Sequence, residues 1–274
     1  MTSLALTSDV DWVNDPPERL RASYDADRLP LWSTRPDGVD LTEDGEDLIL
    51  TPEDPRGDVL YFHGGGWVVG SPETHRTLGA WLAHCSGMRV RLARYRLAPE
   101  ARWPAQRKDA AAALRHAPDG VIVAGDSAGA AMAFWADACV PGKAAAVVGL
   151  YGAYGLGPRT AELMRYYDDL GIGPEENLGA ISRDGCPVLL LKAGDDPIGP
   201  ETPALSRHLT RPCEVIEVPE AQHGFLHRAG TDPLARLAMD AVGRWLRQLS
   251  ASSTSEASGS ATNPQSISSS GSRM

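Results

Sequence analysis

Short apolar runs alternate with amphipathic stretches along most of this chain, and that alternation is its strongest structural signal. Apolar runs predict strands at Asp47–Leu50, Asp58–Phe62, Arg89–Tyr95, Val121–Ala124, Ala144–Leu150, Val188–Lys192 and Glu214–Val218. They are β-branched or Leu-rich and bounded by Gly, Pro or Asp, as buried strands tend to be. Helical periodicity predicts helices near Thr74–Cys85, Ala105–Arg115, Ala128–Ala138, Glu201–Leu209 and Pro233–Leu249. The last places Leu234, Leu237, Val242, Trp245, Leu246 and Leu249 largely on one face. Repeated strand–helix alternation predicts an α/β fold with a mostly parallel, doubly wound sheet. Functional groups in such sheets gather at the carboxyl ends of the strands.

Two stretches break the pattern. Residues 1–46 are polar, rich in Asp, Arg and Pro, with a short helix expected at Pro17–Tyr24; residues 151–184 are irregular and Gly-rich, with Met164, Tyr166 and Tyr167. These are the two segments from which a lid would be built. From Ser250 to Met274, 11 of 25 residues are Ser. Such a segment cannot bury enough apolar area to offset its ordering entropy, so disorder is expected there. The expected organisation is one domain over 1–249 and a Ser-rich tail over 250–274.

Composition narrows the function classes. The net charge of −10 argues against nucleic acid or an anionic membrane as main partner. No apolar run approaches the roughly 20 residues needed to span a bilayer. The N-terminus lacks a basic, then apolar, secretory pattern. Cys85, Cys139, Cys186 and Cys213 are far apart, with no metal-type spacing. Reduced, mostly buried thiols and a cytoplasmic, soluble protein are expected, with oligomeric state unread.

The chemistry lies in the loops. Gly125-Asp126-Ser127-Ala128-Gly129 sits between an apolar strand and an Ala-rich helix. That is the context of a nucleophile elbow, where the tight turn demands glycines and lifts Ser127 above the sheet. His63-Gly64-Gly65-Gly66-Trp67 follows the strand Asp58–Phe62. Consecutive glycines there suit close backbone approach to an oxyanion, with Gly64, Gly65 and Ala128 as the expected N–H donors. A serine nucleophile needs a base and an orienting carboxylate. His223, just past the strand Glu214–Val218, is the expected base, with His227 in reserve; Asp195 and Asp196 follow the strand Val188–Lys192. Trp67, next to the oxyanion loop, is the one aromatic residue expected to contact substrate.

Together these motifs resemble the hormone-sensitive lipase family of esterases, in its bacterial acetyl-esterase-like branch. The resemblance spans roughly Asp58–Leu249, and it also rests on Tyr95-Arg96-Leu97-Ala98-Pro99-Glu100, Asp196-Pro197-Ile198 and His223-Gly224-Phe225. It implies an α/β-hydrolase fold, short- to medium-chain carboxylic esters as substrates, no cofactor and no metal. It also implies Asp196, the Asp before Pro, as the orienting acid. The chain departs from the family pattern at Arg94, where an Asp is usual, at Ala130, and at Pro200-Glu201. Only 69 positions separate Ser127 from Asp196, fewer than the family norm, which implies a small or reduced helical lid. Three alternatives use the same residues: an arylformamidase-like amidase, an acyltransferase, and a ligand-binding protein without catalysis.

Overall fold

The computed structural model describes residues 10–12, 14–155 and 181–259, with side chains up to Leu249. Eight strands form one sheet in the order β1-β2-β4-β3-β5-β6-β7-β8. They are β1 (Val39–Asp44), β2 (Asp47–Pro52), β3 (Asp58–Phe62), β4 (Arg89–Ala93), β5 (Val121–Asp126), β6 (Ala144–Leu150), β7 (Val188–Asp195) and β8 (Cys213–Gln222). β1 and β2 are antiparallel, and β2 runs antiparallel to β4; every other pairing is parallel. The described helices are α1 (Pro17–Arg28), α2 (Pro72–Ser86), α3 (Ala105–His116), α4 (Ala128–Cys139), α5 (Glu201–His208) and α6 (Pro233–Gly259).

The two-residue period of the strands divides the core between the faces of the sheet. Leu60, Phe62, Val123 and Leu190 point to the face covered by α3 and α4. Val59, Tyr61, Ile122 and Leu191 point to the face covered by α2 and α6. All six residues of β5 are buried, so this strand is the centre of the sheet and delivers the serine loop from its end.

The structure corrects four expectations. β1 falls within residues 1–46, so the end of that segment is an edge strand rather than lid. Leu237 is exposed to solvent, and the buried stripe of α6 is Ala235, Ala238, Met239, Val242 and Leu246. The same helix runs on to Gly259, ten residues into the tail expected to be disordered. The remainder of that tail, and Met164, Tyr166 and Tyr167 of the second lid segment, lie outside the described residues. All four cysteines are free, but only Cys85 is buried. Among the described residues, no helix is long and apolar enough to cross a membrane.

Candidate active site

Ser127 joins β5 to α4 with φ 50° and ψ −119°, a conformation that non-glycine residues avoid. Strain of this kind costs on the order of 1–3 kcal/mol and persists only where the surroundings hold it. Here Ser127 N–H donates to the Leu150 carbonyl (2.9 Å), and the Ser127 carbonyl accepts from Ala130 (3.1 Å) and Ala153 (3.0 Å). Glycine at 125 is required: a Cβ there would lie 2.2 Å from the Gly129 carbonyl oxygen.

Two further strand ends bring their loops to this serine. His223, just past β8, lies with Nε2 2.9 Å from Ser127 Oγ and Nδ1 2.8 Å from Asp196 Oδ2. A carboxylate only accepts, so Nδ1 carries the proton and Nε2 presents its lone pair to the serine hydroxyl. The other oxygen of Asp196 accepts from Ile198 N–H (2.9 Å), which fixes the carboxylate in the loop after β7. Asp195 is exposed, and Asp196 is buried, so the structure brings Asp196 to His223. The Tyr151 ring stands edge-on to His223 at 5.2 Å and limits its tilt. His227 lies elsewhere, with Nε2 3.7 Å from Asp126 Oδ2.

The glycine loop departs from expectation. Gly64 N–H donates inward to Asp126 Oδ1 (2.9 Å) and His75 Nε2 (3.2 Å), so it is not free for an oxyanion. Gly65 (φ +114°) and Gly66 (φ +59°) turn the chain back, and Val68 and Val69 N–H both donate to the Gly65 carbonyl. The N–H groups of Gly65, Gly66 and Ala128 make no hydrogen bond to a described residue. Gly66, missed by the sequence reading, is the one glycine of the three that is not buried. Trp67 departs from expectation too: at 1% exposure it packs in the core, its ring stacked on Trp135 at 5.6 Å.

Neighbouring contacts brace the loops. Arg21 of α1 donates to the carbonyls of Val68 and Ala98 and forms a two-pronged pair with Glu100, which ties residues 17–28 to the glycine loop. Arg94, the departure from family pattern, pairs with Glu73 at 2.7 Å. Glu201 accepts from Tyr154 N–H at 2.6 Å and so anchors the turn that follows β6.

Two buried histidines make a prediction about acid stability. Burial, then the nearby His75, pushes the His63 pKa down to about 3. Burial, then Arg28, holds His227 well below its ordinary 6.5. The folded protein therefore binds fewer protons than the unfolded chain between those limits. Their contribution is complete above pH 6.5 and is lost as pH falls below it, at about 1.4 kcal/mol per pH unit for each group. A melting temperature that drops steadily from pH 6.5 to 5 is expected. A flat profile over that range would refute the neutral assignments.

Residues 59–162 match the sequence profile of a family described as having the alpha/beta hydrolase fold. An acetyl-hydrolase of Streptomyces hygroscopicus is 32% identical over 225 residues, covering 69% of this chain and 75% of that protein. An acetyl esterase of Salmonella schwarzengrund is 28% identical, over 65% of this chain and 68% of its own. Among solved structures, a hyperthermophilic esterase from Pyrobaculum calidifontis superposes with TM-score 0.76 at 22% identity, covering 89% of this chain and 95% of that one. An esterase of the bacterial hormone-sensitive lipase family does so with TM-score 0.77 at 23% identity, over 90% and 95%. The chain therefore belongs to the α/β-hydrolase-fold family of ester hydrolases that includes the acetyl-hydrolase of Streptomyces hygroscopicus.

Proposed function

We propose that this protein hydrolyses short- to medium-chain carboxylic esters through an acyl-enzyme formed on Ser127. The observation that carries this reading is the relay from Ser127 Oγ through His223 to Asp196, at 2.9 and 2.8 Å. Ser127 Oγ attacks the ester carbonyl carbon while its proton passes to His223 Nε2. The oxyanion then meets the N–H groups of Gly65, Gly66 and Ala128. Collapse of the tetrahedral intermediate breaks the bond to the leaving alcohol, which takes the proton back from His223. Water attacks the acyl-serine by the same route and returns Ser127. Asp196 keeps the imidazole in the required tautomer and stabilises its charged form.

The substrate class is supported by relatives named acetyl-hydrolase, ethyl acetate hydrolase and acetyl esterase. A site of action in the cytoplasm fits four unpaired cysteines, the usage of a reducing compartment. A panel of aryl esters from acetate to laurate tests the substrate reading. The expected kcat/KM is highest for the shorter acyl chains, and an optimum at laurate would make the protein a lipase instead. In the same assay an aryl formamide should turn over more slowly than aryl acetate, and the reverse order would favour the amidase alternative.

A further inference from the structure

We propose that Asp126 is a positioning residue for the hydrolytic reaction, because its one buried carboxylate fixes the first amide of the oxyanion loop and packs against His227 in the turn that follows the base. The inference rests on the serine-hydrolase reading above. Elbow geometry leaves the position before the nucleophile open to almost any side chain. A carboxylate there is costly, since taking a charge out of water costs several kcal/mol unless partners compensate. Asp126 is 2% exposed and makes no contact with Ser127 Oγ or His223 among its hydrogen bonds, so what it holds must explain it.

It stands against groups from four separate segments and accepts hydrogen bonds from two of them. Oδ1 accepts from Tyr61 O–H of β3 (2.9 Å) and from Gly64 N–H (2.9 Å). His75 Nε2 of α2 lies 3.4 Å from the same oxygen, and His227 Nε2 lies 3.7 Å from Oδ2. His227 belongs to the short helical turn Phe225–Arg228, which begins two residues after His223. One anion thus stands between the loop that would receive the oxyanion and the turn that follows the base.

Proton positions follow from the surroundings of His75. Its Nδ1 lies 3.2 Å from the Ser71 carbonyl, which can only accept, so Nδ1 carries a proton. Thr74 Oγ1, 2.9 Å away, gives its own hydrogen to that carbonyl and accepts from His75. Nε2 is then left to share the Gly64 N–H with Asp126. Two acceptors pull this peptide inward, and the next two N–H groups have no partner among the described residues. The first glycine of the loop acquires a purpose here as well. A Cβ at Gly64 would sit 2.5 Å from Asp126 Oδ2, so only glycine lets the carboxylate reach the amide.

A buried metal site is the competing reading, since ligand atoms of His75, Asp126 and His227 all lie within 4.8 Å of one another. The Gly64 hydrogen points at two of those three atoms, and a cation would have to displace it. The donor set suits a hydrogen-bonded anchor better than a cation.

Turnover per competent site separates positioning from simple support of the fold. Sites are counted by complete labelling with a fluorophosphonate, and aryl acetate kinetics are expressed per labelled site. Asp126→Asn keeps the shape and removes the charge. It should lower kcat about 10-fold with KM within about twofold, because small misplacements of catalytic groups act on the transition state. The labelling rate constant should fall in proportion, since the phosphonyl oxygen uses the same N–H groups. His227→Gln should fall in the same direction, and the double variant should be no slower than Asp126→Asn, as expected of groups acting as a unit. Wild-type turnover per site in Asp126→Asn, with only melting temperature or site number reduced, overturns the proposal, as does a loss confined to KM. If Asp126→Asn fails to fold, His227→Gln decides by the same measurement. Ser127→Ala, run alongside, keeps the outcomes distinct: its activity would sink the serine reading, whereas only the Asp126 and His227 variants bear on positioning.

Discussion

Replacing Ser127 by alanine should lower kcat on aryl acetate by about 10⁶-fold, the scale seen when the nucleophile of a serine hydrolase is removed. The fold should survive. Alanine meets the same backbone requirement at φ 50° as serine does, and the three backbone hydrogen bonds that hold this residue do not involve Oγ. KM should change little, because substrate would still meet the N–H groups of Gly65, Gly66 and Ala128. Residual rate above the uncatalysed reaction, about 10³–10⁴-fold, would come from those groups and from binding. His223→Ala should cost a similar factor, and the double variant should be no slower than either single one, because nucleophile and base act as a unit. Purified Ser127→Ala retaining activity within a hundredfold of wild type would mean that another nucleophile carries the reaction.

The residues of the proposed triad were readable because each sits on a loop that directly continues a strand. β5, β7 and β8 end at Asp126, Asp195 and Gln222, so Ser127, Asp196 and His223 are each the first residue beyond a strand. Buried strands leave a clear apolar signature, and parallel order puts their carboxyl ends side by side. β1 left no such signature: its pattern is half-buried or exposed throughout, and main-chain pairing to β2 holds it at the sheet edge. The extension of α6 past Leu249 was equally silent. Adding a residue to an existing helix costs far less than starting one, so a Ser-rich segment that would not fold alone can continue a helix that is already anchored.

Direction was the hardest thing to read in the glycine loop. Three consecutive glycines say that backbone approaches something closely, but not which N–H faces which way. That is decided by Asp126 and His75, residues 62 and 11 positions away from Gly64. A usable signal was present: a charged residue at the end of an apolar central strand needs buried partners, and the histidines other than His223, His75 and the reserve base His227 among them, could supply them. Trp67 failed for the opposite reason. A large aromatic beside a catalytic loop reads the same whether it lines a pocket or fills the core, and only its stacking on Trp135 separates the two.

The second large effect is expected from Gly129→Ala, where two physical arguments predict opposite signs. Helix propensity alone favours alanine over glycine by about 1 kcal/mol inside a helix such as α4. Packing argues the other way. A Cβ at 129 would lie 2.0 Å from the Phe62 carbonyl oxygen and 2.6 Å from that of His63. Both atoms are main chain, held by the ladder of β3 and by the start of the oxyanion loop, so no flexible side chain can move aside. Relief requires α4 and β3 to separate, and overpacking of this kind costs about 1–3 kcal/mol or more. The separation would also pull Ala128 N–H away from those of Gly65 and Gly66, because these donors sit on the two elements being forced apart. A displacement near 1 Å costs about 10²-fold in rate. Gly129→Ala should therefore lower the urea midpoint and, in the protein that remains folded, lower kcat/KM on aryl acetate by about 10²-fold. A variant more stable than wild type and fully active would mean that propensity outweighs contact, and that α4 does not press on β3 as closely as these distances require.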